Sequence, residues 1–331
     1  MTRVAPQLNS YPGSQAGGSL RSYASATQGA MPDMDKFLFD TNGYVVVKGV
    51  LTSDEVAAAN AAVDSRIAHF KERHGALRNS EDGTPLAGDG TTPRLDMGGI
   101  LEWKDAPFRD VLTHPKLIPY FRELLGDGYR LDHMPLLIAQ NKGSEGFSLH
   151  GGPLNTDGSF NPGLQYRCIS GKMWNTMLAV SVQLTSSGPG DGGFCILKGS
   201  HKGNYALPHE IKVGTAHLEH LYQPCTEAGD VVLFSEATYH GTLAWTADIQ
   251  RRVGLIRLAP PTVAYGRAYY PEWPEAMLDG MTDAQRAVLE APYANRLERP
   301  QVKEDGASLK VQKRAPVKKN FDKTVFKTDF F

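Results

Sequence analysis

Phe147-Ser148-Leu149-His150-Gly151-Gly152-Pro153 is the stretch on which the fold reading turns. A short apolar run ends in a histidine and is followed at once by two glycines. Ninety residues on, Thr238-Tyr239-His240-Gly241-Thr242 repeats the idea, and Arg251 follows eleven residues after His240. Residues i and i+2 of a strand point to the same side. His150 and position 152 are therefore expected to share a face, with His240 facing them from a distant strand. Position 152 is glycine, where a histidine-bearing strand that binds a metal would usually place a carboxylate.

Two histidines in this pattern suit a non-haem iron centre. Fe(II) in oxygenases is commonly held by two imidazoles and one carboxylate, which leaves positions for an oxoacid and O2. An oxoacid such as 2-oxoglutarate leaves a distal carboxylate in need of a partner, and a guanidinium pairs with it through two hydrogen bonds. Arg251 opens the apolar run Arg251-Arg252-Val253-Gly254-Leu255-Ile256-Arg257-Leu258, where an unpaired charge is costly. Thr242 adds a hydroxyl, and Gln140 is grouped with these two as a candidate for holding the oxoacid. Arg252 is expected to face the other way. His69, His74, His114, His133, His209, His217 and His220 are read as structural, and His201 as shaping a loop near the site.

Size and composition bound the rest. The chain has 331 residues, 41% hydrophobic, enough for one large domain with a sizeable core. The formal net charge of -1 gives no argument for a nucleic acid polymer. Cys168, Cys195 and Cys225 are odd in number and widely spaced, which fits a reducing compartment rather than a disulfide framework. The first residues lack the apolar run of a signal peptide, and no stretch reaches the roughly 18 apolar residues of a membrane span. A cytoplasmic protein without membrane association is the expectation.

Residues 1–34 are rich in Ser, Gly, Ala and Pro and are expected to form a flexible leader. Residues 35–300 are expected to form the catalytic domain. Gly43 to Val50 reads as a strand, and Thr52 with Glu55 as a capping box opening a helix from Val56 to about Arg73. Residues 75–99 form a long polar loop suited to covering a site mouth. Pro107 to Leu125 looks helical. From Tyr129 onward short runs separated by Gly/Pro turns predict strands: Tyr129–His133, Pro135–Gln140, Ser148–Gly151, Met173–Leu184, Gly193–Leu197, Asp230–Phe234, His240–Thr242 and Arg251–Leu258. Many short strands of this kind point to a barrel or jelly roll, here an α+β fold with N-terminal helices buttressing one face. Residues 301–331 form a basic tail, expected to be a solvated segment, or a lid that brings cations to an anionic substrate.

The chain resembles the phytanoyl-CoA dioxygenase-like family of Fe(II)/2-oxoglutarate enzymes over most of residues 37–260. The resemblance rests on Gly43-Tyr44-Val45-Val46-Val47, on Gly192-Gly193-Phe194-Cys195-Ile196-Leu197-Lys198-Gly199-Ser200-His201-Lys202, and on His240 with Thr242 and Arg251. It implies a double-stranded β-helix of the jelly-roll, cupin-like kind. It also implies iron on His150 and His240, and 2-oxoglutarate on Thr242 and Arg251. The departure is Gly152, where the family's hydroxylases carry Asp. The chain looks like the iron halogenases with Gly or Ala there, in which chloride takes the open position and an unactivated aliphatic carbon is chlorinated. Nucleotide halogenases of nucleoside-antibiotic pathways, acting on a deoxyadenosine monophosphate sugar, are the nearest free-standing type. A phosphorylated small molecule would give Lys198, His201, Lys202 and the basic tail a role in binding substrate.

Three rival expectations stay open. Asp157 or Glu145 could supply the carboxylate and give an ordinary hydroxylase. The His-Gly-Gly string could mark a branch of other chemistry. The chain could also be a binding module that keeps only the fold.

Overall fold

The computed structural model describes residues 29–73, 80–88, 92–266, 273–293, 298–311 and 313–327. Most of the expected leader, His74 and part of the 75–99 loop lie outside the described residues. The last residues of the expected leader are packed against the body. Met31 is buried, and helix α1 (Asp33–Asn42) starts inside the leader's expected span.

Strand β1 (Tyr44–Val47) follows, then α2 (Ser53–Asp64), whose capping box forms as expected: Thr52 accepts from Glu55 N while the Glu55 carboxylate accepts from Thr52 N. The helix is shorter than its apolar spacing predicts, and the chain continues into β2 (Lys71–Glu72) and β3 (Leu95–Gly98). The helix expected over 107–125 is two pieces, α3 (Phe108–Val111) and α4 (Ile118–Leu125). Pro115 lies in the gap and disfavours helical backbone in the residue before it.

The two strands expected around Pro135 are one strand, β4 (Arg130–Gln140). Its register shifts there, with Leu255 opposite Leu136 but Arg257 opposite His133. The proline, which cannot donate to a ladder, sits at that irregularity. The remaining strands are β5 (Phe147–His150), β6 (Tyr166–Ile169), β7 (Lys172–Asn175), β8 (Leu178–Gln183) and β9 (Gly193–Leu197). A short helix, α5 (His209–Val213), precedes β10 (Leu221–Tyr222), β11 (Val231–Ser235), β12 (His240–Leu243) and β13 (Arg251–Ala259).

The strands form two main antiparallel sheets. The larger has the order β1-β11-β8-β13-β4-β3-β2, and the smaller β10-β9-β12-β5. The larger sheet has two apolar faces. Val45, Val47, Val180, Val182, Leu233, Ile256 and Leu258 pack with Phe39, Val63, Phe108 and Phe121 of the helices. Ala179, Val232 and Phe234 point the opposite way and meet Ile196 of the smaller sheet. The period-2 alternation of a strand buried on both sides accounts for this.

Helices α6 (Glu275–Leu278) and α7 (Asp283–Val288) complete the helical side. The expected basic tail contains a hairpin, β14 (Pro300–Val302) with β15 (Leu309–Val311), and helix α8 (Pro316–Phe326). Its cations are partly spent, since Arg314 and Lys318 pair with Asp322 within the segment and Lys319 pairs with Glu298 just before it. No helix among the described residues is long and apolar enough to cross a membrane.

Replacing Thr52 by Ala removes the side-chain half of the α2 cap and should cost about 1 kcal/mol of stability in urea unfolding. A change below a few tenths would mean that packing alone fixes the start of α2.

Candidate active site

A cavity of about 170 Å³ lies between the two sheets and is lined by residues of both. From the larger sheet come Leu136, Ile138, Ser181 and Phe234, and from the smaller Phe147, His150, Phe194 and Thr242. Strand β13 contributes Arg251, Val253, Leu255 and Arg257, alternate residues of one strand face. Arg252 faces away, as expected, and holds Asp64 of α2 at 2.6 Å.

The two histidines meet because β12 pairs with β5 and sets His240 opposite His150. Their ring centroids are 4.2 Å apart. Each Nδ1 is engaged by a carbonyl two residues earlier, Ser148 O at 3.1 Å for His150 and Thr238 O at 2.8 Å for His240. An Nδ1–H donated to a carbonyl leaves the Nε2 lone pair free to bind a metal. Burial pushes the His150 imidazole down to about 3, helped by neighbouring His240, and burial lowers His240 as well. Both are therefore neutral at pH 7, the form that ligates metals.

The strand argument fails beyond His150. β5 stops there, and Gly151 and Gly152 have φ of 81° and 89°, in the left-handed region. Position 152 does not continue the strand face. A Cβ on Gly152 would lie 2.0 Å from Tyr239 Cε1, so the ring fills the space a side chain would enter. Gly152 N instead donates to Glu236 O at 3.2 Å.

Glu236 is the residue that sequence reasoning missed. It is 4% exposed, with Oε2 3.6 Å from His240 Nε2 and Oε1 accepting from Arg257 Nε at 2.6 Å. Burial alone would raise its carboxyl, but the Arg257 guanidinium and the two imidazoles outweigh that and hold it at about 2. The signal in the sequence was an acid directly after the apolar run Val231–Ser235, four residues before a candidate ligand. The acids considered instead do not reach the histidines. Asp157 is exposed and accepts from Ser159 N and Oγ, and Glu145 accepts from Ser80 Oγ at 2.9 Å and does not line the cavity.

Arg251 and Thr242 both line the cavity, as expected. Arg251 is buried, and no carboxylate pairs with it among the described residues. Burial and nearby Arg94 lower it to about 10, so it stays a cation at pH 7. Gln140 does not line the cavity. It stands behind Arg251, accepting from its Nη1 at 2.6 Å and donating to Glu145 O at 2.8 Å. Arg73 and Arg94, not anticipated, also line the cavity and both hold Asp96, at 2.5 and 2.7 Å.

Lys198, His201 and Lys202 lie outside the cavity lining. Lys198 Nζ sits 4.3 Å from the Tyr222 ring centre, Lys202 pairs with Asp40 at 2.9 Å, and His201 Nε2 contacts Asp40 O at 2.9 Å. The two Asp40 contacts tie the turn to α1, and Lys198 leans on Tyr222 of β10.

Two antiparallel sheets enclose a cavity lined by a pair of neutral histidines and a buried arginine. The chain belongs to the phytanoyl-CoA dioxygenase (PhyH) family, a family of Fe(II)/2-oxoglutarate-dependent oxygenase type, whose model matches residues 39–253. Among solved structures it is similar to HygX from Streptomyces hygroscopicus with nickel and 2-oxoglutarate bound, 22% identical, covering 72% of this chain and 90% of that one with a TM-score of 0.58. It is also similar to the non-heme alpha ketoglutarate dependent epimerase SnoN from nogalamycin biosynthesis, 20% identical over 80% of this chain and 95% of that one with a TM-score of 0.51. At these identities the likeness speaks to fold alone. No curated protein sequence matches the chain.

Introducing Asp at position 152 should destabilise the protein rather than create a ligand. A left-handed non-glycine backbone and a clash with an aromatic ring together cost about 2–5 kcal/mol. Thermal unfolding of Gly152→Asp checks this, and an unchanged midpoint would refute the geometry.

Proposed function

We propose that the protein is an Fe(II)/2-oxoglutarate-dependent oxygenase that oxidises an aliphatic carbon of a small molecule. The reading takes the two sheets as a double-stranded β-helix. One observation carries it: two neutral imidazoles, with Nδ1 held by carbonyls, share a cavity with a buried arginine that has no carboxylate partner among the described residues.

The residues fit both groups. Imidazole nitrogens and a buried carboxylate beside them are a donor set suited to iron. Iron would supply activation of O2. His150 and His240 would hold it, each oriented through its Nδ1 contact. Arg251, braced by Gln140, would hold the distal carboxylate of 2-oxoglutarate, with the Thr242 hydroxyl beside it. The phenyl rings of Phe147, Phe194 and Phe234 line the same cavity and give it an apolar wall. HygX has been seen with nickel, 2-oxoglutarate and hygromycin B bound, and SnoN with Fe3+, alpha ketoglutarate and nogalamycin RO. Both complexes support a small molecule as the substrate.

Chlorination at an open halide position is the competing outcome. In its favour, Gly151-Gly152-Pro153 carries no acid. Against it, the Tyr239 ring fills the side-chain space at 152 and Glu236 lies beside the histidines. A nucleotide substrate follows from the resemblance to nucleotide halogenases; Lys198 and Lys202, which its phosphate would have engaged, lie outside the cavity lining. The anion-binding groups inside it are arginines.

His150→Ala and His240→Ala should each abolish iron-dependent consumption of 2-oxoglutarate, and retained turnover in either would overturn the ligand assignment. Arg251→Ala should raise the KM for 2-oxoglutarate about 10–100-fold, the worth of a charge-assisted hydrogen-bonded pair. Steady-state titration measures it, and an unchanged KM removes Arg251 from the role. Turnover that needs added chloride would favour the halogenating outcome.

A further inference from the structure

We propose that His217, Glu219 and His220 form a surface site for a divalent cation of borderline softness, such as Zn(II), at the outer edge of the smaller sheet. None of the three lines the cavity, and the site holds whether or not the cavity is an oxygenase centre.

The donors converge. One ligand atom from each residue lies within 4.8 Å of the other two. Glu219 Oε1 stands 3.3 Å from His217 Nδ1 and 3.8 Å from His220 Nε2, so both imidazoles gather around a single carboxylate oxygen. A purely acidic patch would suit Ca(II) or Mg(II), whereas two imidazoles with one carboxylate suit Zn(II), Ni(II) or Cu(II). The backbone N–H of Glu219, and after it His217, hold the Glu219 carboxyl below the ordinary carboxylate range. It is therefore an anion at neutral pH, ready for a cation.

The backbone sets that convergence. His217 has a φ of 61°, in the left-handed region that favours glycine. Residues held there against preference gather at ligand clamps. A 3₁₀ turn over Leu218–His220 follows, closed by His220 N donating to His217 O at 3.1 Å. Side chains three apart eclipse in such a turn. The His217 and His220 rings accordingly stack, with centroids 6.0 Å apart and planes 30° from parallel.

The turn is also anchored from below. Leu218 packs against the apolar cluster of Leu149, Cys195 and Leu221, and a Cβ on Gly214 would lie 3.2 Å from Leu218 Cδ2. The apolar residue fastens the turn, while the side chains of His217, Glu219 and His220, 59%, 68% and 62% exposed, stay open to an ion from solution. β10 begins directly after His220 and pairs with β9, Leu221 opposite Leu197. β10 is the outer strand of the smaller sheet, and β9 separates it from β12 and His240. A bound cation would pin the turn that feeds this free edge, which proteins otherwise guard by keeping it short. The sequence gave no reason to join His217 to His220; the left-handed turn does.

Zn(II) is the probe, titrated by calorimetry into the purified, tag-free full chain. His217→Ala, His220→Ala and Glu219→Gln should each remove one equivalent of bound zinc, or weaken one site by more than about tenfold. His150→Ala should leave that equivalent in place, which separates it from any zinc in the cavity. Zinc should also raise the thermal unfolding midpoint of wild type more than that of His217→Ala, since an ion that binds only the folded chain stabilises it. Stoichiometry and affinity unchanged in any of the three surface variants overturn the three-donor site, as does wild-type binding weaker than about 1 mM. A crystal structure with Zn(II) gives the second measure. His217 Nδ1 and His220 Nε2 should stand about 2.0–2.1 Å from the ion, the usual imidazole distance. Zinc bound elsewhere, with both rings free of it, refutes the proposal.

Discussion

The site hangs on one strand register. β12 lies against β5 so that His240 falls opposite His150, and the two rings then share one side of the smaller sheet. Because side chains alternate along a strand, a slip of one residue would turn one imidazole toward the opposite face. On the β5 edge the pairing shifts between His240 and Thr242, and the β9 edge carries the register without a shift. β12 also pairs with β9, where Gly241 faces Cys195 and Thr242 faces Phe194. Gly241 has no room for a side chain, since a Cβ would lie 2.5 Å from Phe147 O. A backbone this crowded has one way to fit.

Charge in the cavity follows from the same alternation. Arg251 and Arg257 lie on one face of β13, six residues apart, while the residues between them that face the helices are apolar or glycine save Arg252. Arg73, Arg94, Arg251 and Arg257 all line the cavity; the first two hold Asp96 and the last holds Glu236. A buried charge without a partner is costly until something neutralises it. Under the proposed reading an oxoacid carboxylate does so at Arg251, which is buried and pairs with no carboxylate among the described residues.

Much of this was legible in the chain. The two histidine motifs, Thr242 and Arg251 line one cavity, and β9, β11, β12 and β13 fall close to their expected runs, whereas the strand expected over Met173–Leu184 is divided into β7 and β8 and β10 was not expected. The Thr52–Glu55 cap formed as read. What was not legible had physical causes. Pro115 broke one expected helix, and Pro135 was absorbed into a strand at a shift in pairing. The strand rule that placed position 152 beside His150 assumed extended backbone, and two left-handed glycines ended the extension one residue too soon. The missing acid was sought after the first histidine because that is where a continuous strand would carry it. Glu236 is near in space through the turn between β11 and β12, which no local pattern around His150 reveals. The lysines of the 198–202 turn were read as reaching for substrate; Lys202 pairs with Asp40 on α1, and Lys198 lies over the Tyr222 ring.

The glycine pair that ends β5 bears on how such chains are recognised. The family model spans position 152 although no acid stands two places after the first histidine, so membership does not depend on an acid there. The acid next to the imidazoles in this chain comes four places before the second histidine instead. A search for relatives of the same make is therefore better keyed to both positions than to the first alone.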